Sequence, residues 1–365
     1  MPTRPLLTSY QDDLKLFPDM WHKIGVVVAT VFLLTYPFWA NARWLTMGNE
    51  TLYTIVGAVG LMILTGFTGQ ISLGHAAFLT IGSYTAAILG AQYGVPFWMI
   101  IILAGVISAI FGLLIGPFAL RLEGLYLAIV TIGFLEIVRY LLQAFPKLSG
   151  GASGHLVPMH TWFVKPNPES YGTFGMEKYT IMGFTFSPEQ KMYFLFLVIT
   201  LLVVYFAKNL MRSNTGRAMM AVRDHDLAAS VMGVNPARTK IISFGISAFV
   251  AGVAGAMIGF KLQFLNISSS FEMLAVSVKY IAIVVLGGVG TIFGAIAGTL
   301  VFTILEPVTE SIAREITLVK SIAPNIRSTI IFSLIVCGFM IFEPLGLFGI
   351  WLRIKRYFMA WPFRY

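Results

Sequence analysis

The residues of this sequence best suited to chemistry lie inside apolar runs. Gln70, Ser72 and His75 fall within Thr68-Gly69-Gln70-Ile71-Ser72-Leu73-Gly74-His75, Glu136 and Arg139 share a second run, and Ser277 and Lys279 a third. Charge is costly inside a bilayer, so such groups must face protein or a water-filled cavity. Glu136 and Arg139 are one helical turn apart and read as a local ion pair. Lys279 either snorkels to the surface or lines a route. His75, beside a glycine-rich break, is hydrogen-bonding filler or route lining. Catalytic signatures are missing: there is no G-x-x-x-x-G-K-[ST], H-E-x-x-H or G-x-S-x-G. His22, His75, His155, His160 and His225 show no metal-ligand spacing. No catalytic or metal residue is assigned, and the chain is not expected to hydrolyse ATP by itself.

Glycine supplies a second pattern. Gly290, Gly294 and Gly298 recur every fourth residue, as do Gly112 with Gly116 and Gly255 with Gly259. Such small-residue faces let helix backbones approach closely. Gly287-Gly288-Val289-Gly290 interrupts one apolar run much as Gly69 and Gly74 flank the polar residues of another. Breaks of this kind are where membrane transporters place passing solutes, so Gln70, Ser72, His75, Gly287 and Gly288 are expected to line a translocation route.

A polar linker, 208–240, carries the most specific local pattern. It contains Ser213-Asn214-Thr215-Gly216-Arg217-Ala218 and Arg223-Asp224-His225-Asp226-Leu227-Ala228-Ala229-Ser230-Val231-Met232-Gly233. Two short helices fit, with Asp224 or Asp226 as a cap and Gly233 as a stop. Leu227, Val231 and Met232 are too few to form a core, so the loop should dock on something.

The elements holding these residues are membrane spans. Of 365 residues 57% are hydrophobic and 11% charged, with mean hydropathy +0.82. A span needs roughly 20 apolar residues, and apolar runs fall at 24–40, 51–68, 77–90, 97–118, 125–144, 191–207, 241–260, 274–289, 291–306 and 326–343. The fold class expected is an all-α polytopic membrane protein of about ten helices. The runs around Phe78–Leu89 and Gly287-Gly288 look short, as re-entrant or broken segments do. Residues 1–23 show no cleavable signal pattern, so the first run is expected to stay as a span.

The net charge of +9 reads as positive-inside bias rather than as nucleic-acid binding. Arg212, Arg217, Arg223, Arg238 and Lys240 place 208–240 in the cytoplasm, as Arg353, Lys355, Arg356 and Arg364 do the tail 344–365. Both termini are then cytoplasmic, the permease body is 24–343, and 145–190 is a periplasmic cap, rich in aromatics and with some strand. The tail, with Trp351, Tyr357, Phe358, Trp361 and Tyr365, suits a helix lying on membrane lipid. The single cysteine, Cys337, cannot pair within the chain.

These motifs together resemble the permease subunits of bacterial ABC importers for branched-chain amino acids, over nearly all of residues 50–355. The resemblance rests on Thr65-Gly66-Phe67 through His75, Leu122-Glu123-Gly124-Leu125-Tyr126, Gly216-Arg217-Ala218 through Gly233-Val234, Ala251-Gly252-Val253-Ala254-Gly255, Val284 through Thr291, and Glu343-Pro344-Leu345-Gly346. It implies the ABC importer permease fold, a location in the bacterial inner membrane and an assembly of a second, homologous permease, two cytoplasmic ATPases and a periplasmic binding protein. It implies no cofactor on this chain, with ATP and Mg held by the ATPases.

By the same resemblance Ala228-Ala229 and Gly233 correspond to the loop such importers insert into the ATPase. Gly216, Arg217, Arg223, Asp224, Asp226, Ala228, Ala229 and Gly233 are then the ATPase-coupling residues. Leu227 stands where the family usually has glutamate, with Asp226 one place earlier. Gly150-Gly151-Ala152-Ser153-Gly154-His155 departs from the family's Gly-Gly-x-Asp/Asn-Gly-Leu, which leaves urea or a short amide as alternative cargo. A stand-alone secondary transporter or channel would need more ionisable groups in the core. A membrane-embedded enzyme would need a paired-carboxylate or histidine cluster.

Overall fold

A computed structural model of the chain describes residues 20–120, 122, 124–159, 179–181, 184–266, 273–315, 324–343 and 345–359. The segment 1–19, residues 160–178, 182 and 183 of the expected cap, and Trp361, Arg364 and Tyr365 of the tail lie outside them. Each of the ten apolar runs corresponds to a helix: α1 (Met20–Trp39), α2 (Ala42–Met62), α3 (His75–Tyr93), α4 (Phe97–Ile115), α5 (Leu125–Ala144), α6 (Pro188–Arg212), α9 (Pro236–Leu262), α10 (Met273–Gly287), α11 (Ile292–Glu315) and α12 (Pro324–Phe342). Among the described residues six are long and apolar enough to cross a membrane, and α10 is one of three shorter apolar helices. α7 (Asn214–Asp224) and α8 (Asp226–Val231) form the linker, and α13 (Gly346–Met359) the tail.

Local chemistry explains the boundaries. Pro188 starts α6 and Ser187 with Gln190 forms a capping box, Ser187 Oγ accepting from Gln190 N at 3.3 Å while Gln190 Oε1 accepts from Ser187 N at 2.8 Å. Ser213 caps α7 and Asn235 caps α9. α3 is longer than the apolar run suggested, at 19 residues. Two of its hydroxyls turn back onto its own carbonyls, Ser83 Oγ to Leu79 at 3.0 Å and Thr85 Oγ1 to Ile81 at 2.7 Å, so Ser83 and Thr85 sit in the helix with their hydroxyls satisfied locally.

The core is built on α2 and α9. The apolar stretch of each is 78% buried, against 33% for α4, α5, α6 and α11. Small residues bring α9 into contact with α2, α3 and α4. A side chain at Gly82 of α3 would strike the Gly252 carbonyl of α9, and one at Gly112 of α4 would meet the Phe244 carbonyl at 2.8 Å. Lipid supplies no hydrophobic drive between helices, so this close packing is what holds the bundle.

The bundle has two chemically distinct ends. The linker helices close one, here the loop end. At the opposite, cap end β1 (His155–Leu156) pairs antiparallel with β4 (Phe264–Leu265), and β2 (Tyr179–Ile181) with β3 (Phe184–Phe186). The tail helix α13 lies at the loop end against the α10–α11 turn, with the Phe293 and Trp351 rings 5.7 Å apart, while Trp351 and Tyr357 keep exposed faces.

Candidate functional site: two glycine breaks and the loop that reaches them

The first break follows α2. Ile63–Phe67 winds into a π-helical turn, the chain turns at Gly69, whose φ is +71°, and 70–74 runs without helix or strand to the head of α3. Backbone groups freed by a break inside the membrane must find partners within the protein. Here hydroxyls supply them: Leu73 N donates to Thr131 Oγ1 of α5 at 3.0 Å, Ala76 N to Ser277 Oγ of α10 at 3.0 Å, and Gly74 N to Ser72 Oγ at 3.3 Å. Thr65 Oγ1 donates to the Gln70 carbonyl at 3.2 Å.

The three polar side chains singled out here are packed inward. Ser72 and His75 are each 1% exposed and Gln70 is 6% exposed. His75 Nε2 donates to the Gly57 carbonyl at 3.0 Å, since a carbonyl can only accept, and its ring meets Tyr280 edge-on at 5.2 Å. Gln70 Oε1 accepts from Ser243 Oγ at 3.5 Å, while its buried Nε2 has no protein partner. Gln70 also borders an open recess of about 680 Å³ shared with Arg223, Asp224, Asp226, Leu227 and Lys240.

The second break joins α10 to α11. Gly288 and Gly290 have φ of +114° and +88°, a region that β-carbons disfavour. Gly287 is buried against the carbonyl of Gly294, and a side chain at Gly288 would meet Phe348 Cβ of α13 at 2.8 Å. Gly294 and Gly298 are helix contacts as their spacing suggested, but Gly290 lies in the break and not on the helix face. It touches the first break, because a β-carbon at Gly66 would fall 2.7 Å from Gly290 N.

The linker reaches this meeting point. Arg223, the penultimate residue of α7, donates from Nη1 to the Gly66 carbonyl at 2.7 Å. Its stem lies 3.0 Å from the β-position of Gly69 and its Nη1 2.8 Å from that of Gly290. Asp224 Oδ1 holds the same guanidinium through Nε and Nη2, both at 3.1 Å. The N-cap of α8 is His225, with no side-chain bond, whereas Asp224 or Asp226 was expected to cap it. Asp226 sits in the first turn instead, where its carboxylate binds Lys240 of α9 at 2.5 Å.

Of the remaining linker residues, Gly216 is buried under the Leu210 carbonyl and Arg217 bonds the Asn214 amide oxygen at 2.5 Å. Ala229 is buried and Ala228 exposed. Gly233 ends the loop with φ +85°. Leu227, Val231 and Met232 are 76%, 86% and 83% exposed, a bare apolar edge.

At the cap end sequence reasoning singled out Lys279 but missed its acidic neighbours Glu306 and Glu50. Lys279 lies 3.3 Å from Glu306 of α11 and 5.0 Å over the Phe302 ring, and Glu50 of α2 is within electrostatic range of both Lys279 and Glu306. Glu306 is a lone acid within an apolar run and could have been noticed there; Glu50 stands one residue before the run that begins at 51. Glu136 and Arg139 approach to 3.8 Å, both half exposed.

A helical bundle with two broken segments in contact, and a polar loop plugged into them, defines a multi-pass membrane permease. The chain belongs to the family described as "Branched-chain amino acid transport system / permease component", whose profile matches residues 44–342. It is 36% identical over 287 residues to the high-affinity branched-chain amino acid transport system permease protein LivM of Salmonella typhimurium, covering 77% of this chain and 67% of that one. It is 28% identical over 272 residues to BraD of Pseudomonas aeruginosa, a permease protein of the same kind of system, covering 72% of this chain and 82% of that one. The fructose import permease protein FruG of Bifidobacterium longum is 26% identical over 305 residues, covering 80% and 79%. No solved structure is a significant match. The chain is therefore a permease subunit of an ABC importer, in the inner membrane.

Proposed function

We propose that this subunit imports a branched-chain or closely related amino acid, paired with a second permease, driven by two ATPases docked on 213–235 and supplied by a binding protein at the cap end. The loop end is then cytoplasmic, with both termini on that side, and ATP and Mg reside on the ATPases. The observation that carries this reading is Arg223: a residue of the linker is bonded to the carbonyl of Gly66, at the contact between the two breaks. A partner that moves α7 and α8 therefore moves the seam between Gly66 and Gly290. Such a link lets ATP-driven closure bias an inward and an outward state of the bundle. The exposed edge of Leu227, Val231 and Met232 offers the ATPase an apolar contact.

Cargo is proposed from the relatives named for branched-chain amino acids. FruG carries a different solute's name at lower identity, so the fold does not by itself dictate cargo. A tagged copy purified from native membrane in mild detergent should bring down ATPase subunits, and the purified complex in liposomes should take up leucine only with ATP. Recovery of the chain without an ATPase overturns the coupled reading; uptake of urea or an amide in place of leucine overturns the cargo.

A further inference from the structure

Charged groups of α2, α6, α9, α10 and α11 gather toward the cap end of this chain. At the cap end Lys261, near the end of α9, binds Glu189, in the first turn of α6, at 2.7 Å, and Asn49 donates to the same Glu189 carboxylate at 3.0 Å. Glu50 follows, in electrostatic range of Lys261, Lys279 and Glu306. Glu50 stands beside Asn49, level with the first turn of α6 and one residue before the apolar run that begins at 51. The Lys279–Glu306 pair comes next, with side chains 39% and 57% exposed, among exposed Val278, Ile304 and Val308. Tyr53 sits in the field of Glu50, Glu306 and Tyr280, and Tyr280 abuts His75 at the first break.

Lipid cannot be what faces this wall, because exposed charge in hydrocarbon is expensive. A protein partner or water must cover it, and in a paired permease the aqueous route is the covering that three converging helices with both signs of charge suit. A zwitterion is also the solute such a pair can pass. Its carboxylate can replace Glu306 on Lys279 while its ammonium takes Glu50 and Glu306, so no charge is left unpaired at any moment. An uncharged solute would have to leave the internal pair intact.

We infer that Glu50, Lys279 and Glu306 form a transient binding site for the charged ends of a zwitterionic amino acid on its way from the cap end to the first break. The inference rests on the amino-acid reading of the cargo. Having to open an existing ion pair keeps the site weak, which suits passage.

The test uses the complete complex in liposomes, with radiolabelled leucine as probe and ATP hydrolysis and complex yield measured alongside. K279Q and E306Q should each lower leucine uptake at least tenfold with yield retained. The double exchange K279E/E306K re-forms an ion pair with the signs reversed; it should keep the parent's yield and leave uptake below a tenth of the parent. Uptake restored by the exchange would make the pair a structural brace, and unimpaired uptake in the single variants would put it off the route. A parent complex that moves an amide and not leucine would instead overturn the cargo reading, and this site with it.

Discussion

Arg223 and Gly66 are joined across 157 residues of sequence by one hydrogen bond of 2.7 Å, guanidinium to carbonyl, where the linker meets the first break. Only a glycine at 66 permits it, because any side chain there would run into Gly290. The loop end and both breaks are thus one mechanical unit, and its parts can be tested separately.

Removing the guanidinium should uncouple hydrolysis from transport. A hydrogen bond to a charged group contributes about 1.5–3 kcal/mol, and 1.4 kcal/mol is a factor of about ten. Arg223→Ala is expected to lower solute moved per ATP by about tenfold or more in the reconstituted complex. Lysine keeps the charge but lacks the fork that holds Gly66 and Asp224 together, so Arg223→Lys should recover little. Tight coupling in Arg223→Ala would refute the link.

Gly233 closes the loop at φ +85°, and proline is locked near −65°. Gly233→Pro should displace the 227–232 edge, and Arg217→Glu should reverse a charge on an exposed face. Each variant should insert normally and lose ATP-dependent uptake. Transport surviving both changes would remove 213–235 from the docking surface.

The α10–α11 turn predicts an assembly defect. A β-carbon at Gly294 already meets the Gly288 carbonyl and lies 2.6 Å from Thr291 Oγ1. Overpacking of this sort costs about 1–3 kcal/mol, so Gly294→Leu should reduce the yield of folded complex measured by gel filtration. Normal yield with weakened uptake would instead mark Gly294 as a wall of the route.

Ser72 tests whether the first break opens. It is 1% exposed in this conformation, so Ser72→Cys, after Cys337→Ala, should resist a small water-soluble thiol reagent at rest. Trapping ATP in the complex should raise the labelling rate at least tenfold. Protection in every state would mean that the break serves packing alone. The serine is the better position for this test than Gly288, where φ +114° strains any cysteine.

What could be read from the sequence was local. The ten apolar runs became ten helices because a bilayer leaves a spanning chain little choice but to satisfy its own backbone. Glycines at 69 and 288 marked the breaks because their positive φ is a region glycine alone takes cheaply, and those at 74 and 287 because a β-carbon there would strike the backbone of Thr131 and Gly294. The paired short helices of the linker and the stop at Gly233 followed from propensity and turn chemistry. What lay beyond sequence was adjacency. That Gly66 rests on Gly290, that Arg223 reaches both, and that Glu50, Lys279 and Glu306 come from three helices to one wall depend on how helices pack. Packing is decided by the fit of whole surfaces, with glycines allowing backbone contact, and no single stretch of chain encodes it. His75 shows the difference most directly: its position beside a break was visible in the sequence, but only the tertiary structure set its ring between the Gly57 carbonyl and Tyr280, because both partners are brought there by other parts of the chain.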